Sequence, residues 1–151
     1  MRGADPLWPL LLEAEDERFG VQLELSGGKA PVLQGERGLS RKSAGPGNAS
    51  YYYSLPRIAT QGRLRLGERI FTVSGASWID REWSTGAMAA DQAGWDWFAL
   101  QLDDERELML YRLRGNDGNT HPFSAGRWIN ADGSSRALAA EIGRASCRER
   151  V

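Results

Sequence analysis

The sequence predicts an all-β fold, and three observations carry that reading. Apolar and polar residues alternate over short runs, such runs recur about every 8–12 residues, and Gly, Asn and Asp punctuate the intervals. The one helix-like scrap, Ala87–Asp91, is too short to hold a helix in water. With 151 residues, 41% of them hydrophobic, the chain is long enough to bury a core. Nineteen basic against twenty acidic residues leave a net charge of -1 and no basic field for nucleic acid. One cysteine gives no disulfide framework, and one histidine beside it does not build an ordinary zinc site. Neither a metal nor a cofactor is expected.

The elements follow in order. Residues 1–18 read as an acidic lead-in; Leu7–Leu12 is too short and too close to Glu13–Glu17 to be a secretory signal or a membrane span. Phe19–Leu25 alternates with period two and reads as a half-buried strand. Gly35–Asn48 reads as a Gly/Ser/Pro-rich loop that carries Arg37, Arg41 and Lys42. Tyr51–Leu55 is strand-like and ends at Pro56, which lacks the N–H of a central strand. Gly62–Leu66 and Arg69–Ser74 flank Gly67-Glu68 as a hairpin, and Ala76–Trp83 is the next strand. Trp95–Leu102 and Glu107–Arg114 make a second hairpin; Phe123–Asn130 and Ser135–Leu138 are the last strands. His121, between Thr120 and Pro122, is expected in an exposed loop, and without it no Ser–His–Asp triad can form.

Two segments hold the candidate chemistry. In a strand, Trp78, Asp80 and Glu82 share one face, with the two carboxylates about 7 Å apart. Such a pair beside an indole suits acid–base work; it equally suits a ladder of carboxylates clasped by arginines. Gly94–Leu102 puts Trp95 and Trp97 on one face, and Asp96, Phe98 and Leu100 on the other. Asp96 is an acid on an otherwise apolar face, which is costly unless it is paired or functional. Indole walls with a few acids fit an apolar or isoprenoid-like ligand, because aromatic faces stabilise a carbocation; plain core packing is the alternative.

A resemblance joins these residues. Pro31–Gly35, Gly38–Lys42, Gly47–Ser54, Trp78–Ser84, Gly94–Asp104 and Glu107–Arg114 follow one another in an order that resembles the lipocalin-like family of carotenoid hydratases (hydroxyneurosporene synthase) and AttH-type proteins. The likeness covers about residues 19–138. It implies a lipocalin-like antiparallel β-barrel or sandwich, incomplete here, since the family's opening Glu-Trp-Trp-Tyr run is missing and a second such domain would follow. Residues 1–140 are then part of a first domain. Residues 141–151, which hold Cys147 and three arginines, look like the in-frame translation of a sequencing adapter. Glu105 stands where the resemblance leads one to expect a turn glycine.

For its hydratase members the family implies addition of water across the terminal C=C of an acyclic carotenoid. A carboxylic acid protonates the alkene, aromatic faces hold the cation, and water adds. Asp80, Glu82 and Asp96 are the candidate acids; Tyr52, Trp78, Trp95, Trp97 and Tyr111 are the candidate ligand wall. The AttH branch implies instead a non-catalytic, lipid-binding accessory of an ABC transporter, and a secreted hydrolase ranks last for want of a nucleophile–base pair. The resemblance places the whole protein in the periplasm or at the membrane, although no signal peptide is visible here.

Overall fold

Period-two alternation needs a sheet to bury one face of each strand, and the chain supplies that sheet from itself. The computed structural model describes residues 7–84, 86 and 88–138. Among them no helix forms; the strands are β1 (Leu10–Glu15), β2 (Phe19–Leu25), β3 (Val32–Leu33), β4 (Leu39–Arg41), β5 (Ala49–Leu66), β6 (Arg69–Trp83), β7 (Gln92–Gln101), β8 (Glu107–Gly115), β9 (Ala125–Ile129) and β10 (Ser135–Leu138). A six-stranded sheet runs β1-β2-β5-β3, with β4 and β6 also on β5; a four-stranded sheet runs β10-β9-β8-β7. Neither closes into a barrel, in keeping with an incomplete lipocalin-like fold. The described residues fall into two units: unit 1 draws on Met1–Ala30 and Leu55–Ile79, unit 2 on Pro31–Ser54 and Asp80–Val151.

In unit 1, β1 and β2 pair from Leu10↔Leu25 to Glu15↔Gly20, and β2 pairs with the later part of β5 from Leu25↔Thr60 to Phe19↔Leu66. The expected lead-in is therefore partly strand. Its Leu-Leu-Leu and acidic runs hide the alternation, but an edge strand needs only one partner to satisfy its backbone. Arg65 fastens the β1–β2 turn, donating to the Asp16 carbonyl at 2.7 Å and to Glu15 Oε1 at 3.0 Å. Gly62 lies opposite Leu23, and a Cβ there would come 2.0 Å from the Gln22 carbonyl oxygen. Leu25, Leu55, Pro56 and Ile58 are buried in this unit.

β5 is a single strand of 18 residues, not two short ones divided at Pro56. Pro56 falls between the partners of β3 (Tyr53, Ser54) and those of β2 (Thr60–Leu66), so its missing N–H breaks no rung on either. Arg57 follows at φ 51, a left-handed kink that costs a non-glycine residue roughly 1 kcal/mol. The division between the units falls on β5 just before this irregularity.

In unit 2, β3 and β4 pair with the first part of β5, so the Gly/Ser/Pro-rich stretch is not loop throughout. β7 and β8 pair from Gly94↔Arg114 to Gln101↔Glu107, and β8 carries β9 on its other edge. Along β8, Glu107, Met109, Tyr111 and Leu113 alternate into the interior. Val32, Tyr52 and Ile129 are buried in the same unit, and Ser40 Oγ lies 2.9 Å from the Tyr111 hydroxyl. Glu105 takes φ 62 in the β7–β8 turn, the left-handed backbone that a glycine would adopt freely. The expected strand 123–130 shortens to β9, and residues 88–91 hold no helix, as their shortness predicts; they turn into β7 with the Gln92 N–H donating to the Ala89 carbonyl at 3.0 Å. The expected adapter translation, residues 141–151, lies outside the described residues.

Candidate functional site

Strand parity builds the site. On β5, Ser50, Tyr52 and Ser54 alternate into the interior, while Tyr51 and Tyr53 take the other face and meet Trp83 at ring-centroid distances of 6.2 and 6.0 Å. On β6, Asp80 and Glu82 point toward those inward hydroxyls. Ser54 Oγ donates to Asp80 Oδ1 and Ser50 Oγ to Glu82 Oε1, each at 2.5 Å. The buried Gln34 amide donates to Ser54 Oγ at 2.9 Å, so the first contact is supported from behind.

From β7, the Trp97 indole N–H donates to the Tyr52 hydroxyl at 3.1 Å. That hydroxyl in turn donates to Asp80. Burial, together with the negative charge of Asp80, holds the Tyr52 phenol well above its ordinary value. Tyr52 is thus a neutral phenol and not a base.

The polar end of the site comes from the segment after β4. Lys42 donates its backbone N–H to the Asn48 carbonyl at 2.8 Å, and its own carbonyl accepts from the Gln92 amide at 2.5 Å. Fixed on both sides, it sends Nζ to 2.9 Å from Glu82 Oε1 and 3.9 Å from the centroid of the Tyr111 ring. Asn48 is held in place by donating to Ser43 Oγ at 2.8 Å. A half-exposed ion pair of this kind adds little to stability.

These groups surround a pocket of about 300 Å³ within unit 2, at the small end of ligand-sized cavities. Tyr52, Glu82, Trp95, Trp97 and Tyr111 line it, as do Lys42, Asn48, Ser50, Ser84, Met88, Gln92 and Leu113. Asp80 stands behind the wall, bonded to Tyr52 and Ser54. Asp96 is on the opposite face of β7, where Arg114 Nη1 approaches Oδ1 at 2.5 Å, so it does not reach the pocket. Trp78 belongs to unit 1 and is not in this wall. Of the residues that sequence reading missed, Lys42 had a signal, a lone ammonium in a cation-bearing Gly/Ser/Pro stretch. Gln92 and Met88 had none.

His121 is less exposed than expected. Its side chain is 10% exposed, stacks on Phe123 at 5.7 Å and lies 3.3 Å from Asp91 Oδ2. No group of three or more His, Cys, Asp or Glu among the described residues is placed to hold a metal ion.

The model of the AttH-like family matches residues 1–149. The chain belongs to the AttH-like family. Among solved structures, a protein described as AttH from Nitrosomonas europaea aligns over 87% of this chain and 40% of its own, with 34% identity and a TM-score of 0.80. Kievitone hydratase from Nectria haematococca aligns over the same shares with 18% identity and a TM-score of 0.68, a likeness of fold. The chain therefore spans about two fifths of the length of these family-fold neighbours. No curated protein matches it.

Proposed function

We propose that the unit 2 pocket takes one end of an apolar, unsaturated isoprenoid or lipid and adds water across its C=C bond by proton transfer through Glu82. One observation carries this: a carboxylate, with an ammonium and a hydroxyl within hydrogen-bond distance of it, lies in a pocket whose wall also holds two indole and two phenol rings. In the step, Glu82 takes up a proton from solvent, giving up its ion pair with Lys42, and passes it to the terminal alkene carbon, and a cation forms on the more substituted carbon. The faces of Trp95, Trp97 and Tyr52 attract that cation. Water adds to it, and the oxonium returns a proton to Glu82, so the carboxyl is regenerated and nothing is oxidised or reduced. Lys42 orients the water and holds the carboxyl. Acyclic carotenoids are the substrate class that best fits family, pocket and chemistry together.

The test is Glu82→Gln in a chain extended to the length of its solved relatives, with hydration followed chromatographically. Conversion should fall at least about 100-fold while the ligand still binds. Undiminished turnover would overturn the reading. A second reading has an observation of its own: Glu82 Oε1 and Asp80 Oδ1 already accept hydrogen bonds, as in a pocket that holds a ligand and does no chemistry. The protein would then be a periplasmic or membrane-associated, lipid-binding accessory of an ABC transporter. Co-purified lipid that is never converted, even by the unmutated full-length protein, would favour it.

A further inference from the structure

We infer that the Lys42–Glu82 pair is a clamp for a neutral hydroxyl group, so that the pocket selects an apolar alcohol over the corresponding hydrocarbon or carboxylic acid. The inference rests on the apolar-ligand reading above and names the chemistry at the polar end of that ligand.

Both contacts to Glu82 fall on one atom. Ser50 Oγ and Lys42 Nζ approach Oε1, and among the described residues none donates to Oε2. A carboxylate oxygen has lone pairs for more than one donor, and an ammonium has three N–H groups, of which Lys42 spends one on Glu82 and turns toward the Tyr111 ring. The pair therefore offers a ligand one acceptor and one donor side by side.

Charge decides what fits between them. A ligand carboxylate reaching Lys42 would face the Glu82 carboxylate, and a ligand ammonium reaching Glu82 would face Lys42. A hydrocarbon would strip water from both ions and replace it with nothing. A hydroxyl donates to Oε2 and accepts from Nζ at once, leaving neither ion unpaired. Its carbon skeleton then lies along Met88, Trp95 and Trp97, the apolar stretch of the same wall. An alcohol is also what the addition of water produces, so the clamp holds the new hydroxyl where it forms.

Calorimetric binding of farnesol, farnesene and farnesoic acid to the full chain tests this. Farnesol should bind about 10-fold or more tightly than either of the others, as expected for two hydrogen bonds to charged groups. Lys42→Met should abolish that preference by weakening farnesol binding about 10-fold, and Lys42→Arg should restore part of it. Equal affinity for all three, or preference for the acid, overturns the clamp and leaves the apolar pocket standing. Failure of all three to bind overturns both. A circular-dichroism melt of each variant separates a lost clamp from a lost fold.

Discussion

The two ends of the β5–β6 pair are built from the same strands and are held by different forces. Toward the β5–β6 turn, Ile58 is fully buried, Thr60 and Ser77 share a hydrogen bond at 2.8 Å, and Leu66 and Ile70 stand open to solvent. At the other end the inward positions are Ser50, Tyr52 and Ser54, met by Asp80 and Glu82. An interior filled with hydroxyls and carboxylates is a poor way to gain stability, because each group must first lose its water. Here Ser50 and Ser54 offset part of that loss by donating to Glu82 and Asp80. The contrast shows that strands of one period can close one end with apolar side chains and the other with a hydrogen-bonded polar set.

Substitutions can break or sharpen this contrast. The largest effect belongs to the apolar end: Ile58→Ala should cost about 2–5 kcal/mol in urea unfolding and leave ligand binding per folded molecule unchanged. Ser54→Ala should cost about 1–3 kcal/mol, since Asp80 and Gln34 each lose a partner. If it costs as much as Ile58→Ala, the two ends do not differ in the way described.

A pH titration is subtler. The Tyr52 phenol is raised in the folded state above the value of about 10 that it has when unfolded. Its contribution to stability is complete below pH 10 and is lost as pH rises above that value, because the unfolded chain ionises first. Tyr52→Phe should flatten the alkaline slope of the melting temperature; a slope that stays the same excludes Tyr52 as its source. The smallest effect is Glu105→Gly, which relieves the left-handed turn residue and should stabilise by about 0.5–1 kcal/mol in the same urea assay.

Much of the fold was legible because alternation is local. Phe19–Leu25 and Ser135–Leu138 form strands with those bounds, and the partition of Trp95 and Trp97 from Asp96 follows from parity alone. What was illegible depended on partners. Pro56 looks like a strand end until the positions of β2 and β3 show that its missing N–H is not needed. β4 and Lys42 are hidden in a stretch of glycine and serine whose order comes from Ser43 and Asn48 within it and from Gln92, 50 residues away in sequence. Both faces of β7 are apolar, so parity separated Asp96 from the tryptophans without saying which face meets the pocket. Arg114, from the neighbouring strand, resolves it by pairing with the acid.

The bond from Trp97 to Tyr52 has an optical consequence. Two of the chain's six indoles stand in the pocket wall, and one has its N–H committed to a phenol oxygen that is itself tied to a carboxylate. Indole emission follows the polarity around the ring. An apolar molecule placed in the cavity would exclude water from Trp95 and Trp97 and would move their fluorescence to shorter wavelength. Occupancy of the cavity would then be readable without any attached label.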